Sequence, residues 1–274
     1  MTLEWSENPK TPLTVDGKQL EYFALGPSPD KAPTIVLLHE GLGCAALWRD
    51  FPAKLAEATG MGVFVYSRLG YGQSDAAELP KPLDFMTNEA VDVLPQVLGQ
   101  MGFERGILMG HSDGATIAAI YAGSVADLRV RGLVLMAPHF FTEPAGLESI
   151  RETKKTFETT DMAQKMAKYH KNPEIAFKGW NDVWLDPKFE SWNVAEVIDY
   201  LRIPTLAIQG RDDQYGTLAQ IEEIENRAYS PVDTVILEDC QHAPHLEQTE
   251  AVLAAVSEFA TRLERIEAAE VETA

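Results

Sequence analysis

The chain has 274 residues, 45% of them hydrophobic, with 23 Lys and Arg against 42 Asp and Glu and a formal net charge of −19. That length fits one large α/β domain or two small ones, and the apolar fraction is that of a globular chain that buries a core without staples. The charge argues against nucleic acid and anionic membrane surfaces as partners, because both are polyanions; the two cysteines cannot make a disulfide framework, although they could make one bridge.

Residues Met1 to Lys10 are polar and carry Glu4 and Glu7, without the basic and apolar regions of a leader. No stretch reaches the roughly 20 apolar residues of a membrane helix. The expectation is a soluble, cytoplasmic protein, with oligomeric state, a homo-oligomer included, left open.

Pro12 to Val15 and Gln19 to Leu25 read as strands around the turn Asp16-Gly17, a strong hairpin signal. Strands and helices then alternate. Thr34 to His39, Met61 to Tyr66, Gly106 to Met109 and Val130 to Ala137 are predicted strands. Leu47 to Thr59, Asn88 to Met101 and Ala115 to Ala122 are predicted helices, the second with Pro95 as a kink point. From His139 to Arg202 no strand pattern appears, and helical patterns such as Ile175 to Leu185 and Val194 to Leu201 dominate. Thr205 to Gln209 and Thr234 to Leu237 resume the strands, and Leu218 to Ala228 and Glu250 to Ile266 the helices. The Glu- and Ala-rich tail from Glu264 extends the last helix and frays. The alternation predicts an α/β fold with a mostly parallel, doubly wound sheet. Residues 139–202 form a helical insertion in a core made of 1–138 and 203–274.

Gly110-His111-Ser112-Asp113-Gly114 matches G-x-S-x-G. It lies between an apolar strand and a helix of small residues, the context in which the motif places a serine on a tight, strained turn. The N–H of Asp113 then points where an oxyanion would form. A serine hydroxyl needs a base. Two segments follow later strands and supply candidates. Gly210-Arg211-Asp212-Asp213-Gln214 holds an acid, and Asp239 to Glu247 holds His242 and His245. His111 reads as a buried structural residue. The Asp113 side chain suits the start of a helix. Cys44 and Cys240 read as buried thiols. No metal or dinucleotide motif is present.

In combination these segments resemble the α/β-hydrolase fold over nearly the whole chain. His39-Glu40-Gly41-Leu42-Gly43 resembles the family's His-Gly oxyanion loop. Tyr66 to Asp75 resembles its D-x-R-G-x-G-x-S segment, Gly210-x-x-Asp213 its acid motif, and His242 with Glu247 its histidine segment. The resemblance implies Ser112 as nucleophile, Asp213 rather than Asp212 as the acid, and His242 rather than His245 as the base. It also implies backbone N–H groups of Asp113 and Gly41 as the oxyanion hole, and a cap in the helical insertion. Three residues depart from the pattern. Glu40 stands where glycine is usual, with Arg68 a candidate partner for its carboxylate and a structural role expected. Ser67 replaces the common Asp, and Gln241 the common Gly.

Phe177, Trp180 and Trp184 share one helical face, read first as packing. Glu40, His139, Phe140, Trp180 and Trp184 are the candidate pocket residues. The expected function is a cofactor-free serine hydrolase cleaving a carboxylic ester of a small, apolar or aromatic molecule. A carbon–carbon bond hydrolase or enol-lactonase on the same triad is the alternative, and a non-catalytic small-molecule receptor stands behind both. The serine argues against the dehalogenases and epoxide hydrolases of this fold, which use an aspartate.

Overall fold

The structure, a computed structural model, describes residues 3–273, with side chains through residue 269. Strands β1 (Leu13–Val15) and β2 (Lys18–Leu20) form a small antiparallel hairpin. Asp16 and Gly17 turn it at φ 49° and 75°, the left-handed pair that a two-residue hairpin requires. The predicted strand Gln19 to Leu25 is two strands. It breaks at Glu21, whose amide donates to Ser74 Oγ and whose carboxylate accepts from Ser67 Oγ at 2.6 Å. Beyond that break β3 (Tyr22–Leu25) enters the main sheet.

In chain order there follow β4 (Thr34–Leu38), a 3-10 turn (Ala45–Trp48), α1 (Phe51–Thr59), β5 (Gly62–Tyr66) and α2 (Phe85–Asn88). A π turn (Glu89–Val93), α3 (Leu94–Gln100), β6 (Gly106–His111), α4 (Asp113–Ser124) and β7 (Val130–Met136) come next. The predicted helix Asn88 to Met101 is thus interrupted by a wider turn, and Pro95 sits at the start of α3, where its missing N–H costs nothing. After β7 lie α5 (Pro144–Thr159), α6 (Met162–Met166), α7 (Pro173–Trp184) and a 3-10 segment (Ala195–Tyr200). The chain closes with β8 (Thr205–Gly210), α8 (Ala219–Arg227), β9 (Val232–Leu237), α9 (Pro244–Glu247) and α10 (Thr249–Thr273). The tail continues the last helix, and Ala274 lies outside the described residues.

The main sheet has seven strands in the order β3-β5-β4-β6-β7-β8-β9. Only β3 runs antiparallel. β4, β5, β6 and β8 are buried along their whole length, so they read as unbroken apolar runs. One apolar layer joins a sheet face to α1 and α10 through Trp48, Phe51, Val256 and Phe259. The other joins the opposite face to α3, α4 and the helices after β7. α4 is central to that layer and buried almost all round. Its Gly and Ala residues let it approach the strands.

Chain direction across the sheet reverses at β4: its successor β5 lies on one side and β6 on the other. Loops leaving the carboxyl ends of β4 and β6 therefore open a crevice, where sheets of this kind bind ligands. Between β7 and β8 the described chain makes helices and one isolated bridge, Phe141 with Asn193. α5 and α7 reach over the crevice, whereas the 3-10 segment packs against α4, its Val197 carbonyl over Gly123.

Candidate active site

Ser112 sits between β6 and α4 at φ 54° and ψ −121°, a conformation that costs a non-glycine residue strain. Its neighbours show why the motif needs glycines. A Cβ on Gly110 would lie 2.2 Å from the Gly114 carbonyl, and one on Gly114 2.0 Å from the Leu38 carbonyl. Both clashes are with backbone. Strand, helix and the β4 loop can close on Ser112 only without those side chains.

Asp213 follows β8 and His242 follows β9. His242 Nδ1 and Asp213 Oδ2 are 2.8 Å apart. The Asp213 carboxylate also accepts from the Tyr215 amide and from Gln209 Nε2, each at 2.8 Å. Burial pushes this carboxyl up, but the His242 contact and the Tyr215 amide outweigh it and hold the group below the usual range. Gly210 lets the two loops meet, since a Cβ there would lie 2.2 Å from the Gln241 carbonyl. Glu247 brackets the histidine by accepting from the Gln241 and Ala243 amides. Asp212 is exposed. His245 is buried against Trp48 and Phe51, away from that carboxylate.

After β4, His39 accepts from the Arg68 amide at Nε2 and contacts the Glu40 carbonyl at 2.7 Å from Nδ1. The guanidinium of Arg68 donates to the His39 and Glu40 carbonyls. The Arg68 guanidinium therefore fixes the loop backbone rather than pairing with the Glu40 carboxylate. That carboxylate turns to His111, 3.5 Å from Nδ1, and lies over Gly43, where a Cβ would lie 2.2 Å from Glu40 Oε2. Trp180 covers Gly41 so closely that a Cβ there would lie 2.2 Å from the indole. Among the described residues, the N–H groups of Gly41 and Asp113 donate to no acceptor.

These loops surround a cavity of about 120 Å³ lined in part by Ser112, Asp113, Gly41, Glu40, His139 and His242. Leu147, Ile150, Trp180, Trp184 and Tyr215 supply most of its apolar wall. Of the helical aromatic face, Trp180 and Trp184 reach the cavity, while Phe177 stacks on Phe157 at 3.8 Å. Phe140 is a correction. It is fully buried in the core beside the sheet and does not line the cavity. Along an extended chain successive side chains point to opposite sides, so His139 faces the cavity and Phe140 faces away. His139 packs edge-on to Trp184, and burial and the His242 charge push it down to about 3.

Sequence reasoning missed Glu143, Leu147, Ile150 and Tyr215. Tyr215 packs edge-on to His242 with centroids 4.8 Å apart. Its place two residues after Asp213 was the available signal; the α5 residues had none. His170 was also missed. It accepts from the Gly72 amide and contacts the Leu42 carbonyl at 3.1 Å, joining the helical segment to two core loops. The Asp113 carboxyl is fully buried, with no hydrogen-bond partner at either oxygen among the described residues, and burial raises its pKa. The thiols of Cys44 and Cys240 are free and buried, pushed up by burial to about 12 and about 11. Among the described residues no group of three or more His, Cys, Asp or Glu is arranged to hold a metal ion, and no helix is long and apolar enough to cross a membrane.

The sequence profile of the alpha/beta hydrolase family matches residues 35–255. The chain belongs to that family. It is 30% identical over 111 residues to a proline iminopeptidase of Lactobacillus delbrueckii subsp. lactis, a match covering 40% of this chain and 37% of that one. The chain thus spans under half the length of that relative. Among solved structures, the enol-lactonase of Burkholderia xenovorans LB400 superposes with a TM-score of 0.71 at 20% identity, covering 90% of this chain and 98% of that one. A thermophilic esterase of Thermogutta terrifontis gives 0.70 at 18% identity, covering 92% and 97%. These likenesses are of fold; the activity, and the bond cleaved, are argued below.

Proposed function

We propose that the protein is a serine hydrolase that cleaves a carboxylic ester of a small, largely apolar or aromatic molecule through an acyl-enzyme on Ser112. What carries the reading is one arrangement. A strained serine faces the same apolar cavity as a histidine whose far nitrogen is held by a buried aspartate. In this reading His242 takes the Ser112 proton and returns it to the leaving alcohol. Asp213 fixes the imidazole tautomer and stabilises the imidazolium. The amides of Gly41 and Asp113 receive the oxyanion; loss of one such donor typically costs a factor of about 10² or more. Water then releases the acid, and no cofactor takes part. Residues 1–138 and 203–274 act as the hydrolase core, and 139–202 as a cap that supplies the cavity's aromatic wall.

The cavity lining contains Glu40, Asp113 and Glu143 and no Lys or Arg. An anionic group close to the scissile bond would meet like charge in a low-dielectric site, so neutral substrates fit best.

The test is turnover of p-nitrophenyl esters from acetate to decanoate, beside Ser112→Ala and fluorophosphonate labelling. Turnover of short or aromatic esters, abolished in the variant, is the expected result. Labelling of Ser112 without turnover of any ester would overturn the ester assignment and move the search to enol-lactones and carbon–carbon bonds. Absence of both would leave the receptor reading.

A further inference from the structure

His111 immediately precedes Ser112 and is 2% exposed. Its Nε2 lies 2.6 Å from the His242 carbonyl, and its Nδ1 lies 3.5 Å from the Glu40 carboxylate. Both partners are acceptors. A carbonyl has no hydrogen to give, so Nε2 must carry one. An ionised carboxylate has none either; Nδ1 makes no hydrogen bond among the described residues, and its 3.5 Å approach to Glu40 is favourable only when it carries a second proton. A neutral imidazole satisfies one of these contacts and leaves two lone pairs opposed at the other. His39 and His170 differ. Each has an amide donor at one nitrogen and a carbonyl at the other, which a single neutral tautomer satisfies.

The ties of this ring span the site. Glu40 belongs to the oxyanion loop, His111 to the end of β6 just before the serine, and the His242 carbonyl to the histidine loop. We propose that His111 is a positioning residue that works as an imidazolium: paired with Glu40, it locks the oxyanion loop, the serine turn and the His242 loop into one charge-dependent unit. The proposal rests on the reading of Ser112 and His242 as the reacting pair.

The surrounding charges agree with that state. Burial pulls the His111 imidazole down, but Glu40, the His242 carbonyl and the more distant Asp213 outweigh it and raise its pKa. Burial likewise pushes the Glu40 carboxyl up, and the contact with His111 more than reverses the effect. The His242 and His245 rings lie 5.0 and 4.8 Å from His111. His245 is held neutral near neutrality, its pKa pushed down to about 3 by burial and by the His111 charge, with Arg49 a smaller influence. The Arg68 guanidinium touches the His39 and Glu40 carbonyls and leaves the Glu40 carboxylate to His111. At 3.5 Å the contact is an ion pair rather than a tight hydrogen bond, so its strength depends on both charges being present.

The consequence is an ionisation on the alkaline side of the pH profile. Loss of the His111 proton works against the site. It sets a lone pair against the Glu40 carboxylate and loosens the loops, so activity falls at higher pH. Glu40→Gln separates charge from contact. The glutamine amide donates to a bare Nδ1, and a neutral His111 then keeps both contacts.

The test has two arms. Ring nitrogen NMR of the unmodified protein near pH 7 is expected to show both His111 nitrogens protonated and titrating together above the ordinary histidine range. The limiting rate of Ser112 labelling by a fluorophosphonate is expected to fall along that same titration. In Glu40→Gln the fall disappears, whatever the height of the plateau. A singly protonated His111 at pH 7 overturns the proposal without a variant. So does an alkaline fall that Glu40→Gln leaves in place. If Ser112 is not labelled at any pH, the functional reading fails and the positioning role with it. A neutral His111 beside normal labelling removes the pair alone.

Discussion

Asp213 places one carboxylate oxygen 2.8 Å from His242 Nδ1 while the other accepts the Tyr215 amide. In the proposed mechanism the first contact leaves Nε2 as the bare nitrogen of His242. Asp213→Asn keeps the shape and an acceptor for the Tyr215 amide. It places an N–H against Nδ1 in one amide orientation, which favours the tautomer with the proton on the wrong side. The expected loss in turnover is about 10⁴-fold, with the melting temperature changed far less than for a cavity-forming substitution. Ester turnover and thermal melting of the same preparation check this. A loss below about tenfold would mean that the Asp213–His242 contact is structural. Asp212, exposed and one residue away, serves as the control, and its Asn variant is expected to retain turnover.

The serine turn is an element-scale device. Gly114 allows α4 to start against the end of β4, and an added Cβ would meet the Leu38 carbonyl, which is backbone and has no rotamer to escape into. Gly114→Ala is expected to destabilise by roughly 1–3 kcal/mol, the usual cost of overpacking, and to slow Ser112 labelling because the turn must open. Urea unfolding beside labelling checks both, and an unchanged midpoint would refute the close approach. This device was legible in the sequence because strand, G-x-S-x-G and small-residue helix are all local. The strand ends bearing Asp213 and His242 were legible for the same reason, together with the resemblance of their short motifs. The cavity wall was not. His139 and Phe140 are neighbours of similar aromatic character, and the direction of the chain leaving β7 decides which one faces the cavity. Glu40 stands out in the sequence as a departure, with Arg68 a candidate partner. The two sit on adjacent loops, and only the fold shows that the guanidinium goes to carbonyls while the carboxylate turns to His111. Leu147 and Ile150 on α5 resemble any buried helix face until α5 is seen over the crevice.

At the scale of the molecule, the buried histidines set how stability depends on pH. His139 and His245 are each pushed down to about 3, chiefly by burial, whereas an unfolded histidine titrates near 6.5. Between those values the unfolded chain binds protons that the folded protein refuses. The stability from burying each ring neutral is therefore complete above about pH 6.5 and is lost as pH falls toward 3, at about 1.4 kcal/mol per pH unit for each group. Asp213 adds a loss at lower pH, through the range where unfolded carboxylates protonate. Asp127 does the same, its pKa lowered to about 2 mainly by the Arg129 hydrogen bond. His111 has the opposite sign. Its raised pKa contributes stability that is complete below about 6.5 and is lost as pH rises through the folded value. Greater ionisation of a chain already at −19 adds self-repulsion at high pH, so the optimum lies near neutrality and is lost on both sides. Acid loosening then begins around the active-site loops, well above the pH at which most carboxylates protonate. His245→Phe tests the acid side, since the ring packs against Trp48 and Phe51 and phenylalanine has no proton to bind. Urea midpoints at several pH values between 4 and 6.5 should show a slope shallower by about 1.4 kcal/mol per pH unit than that of the unmodified protein. Equal slopes would mean that His245 titrates normally in the folded state, and that water reaches a ring placed in the core between two loops of the site.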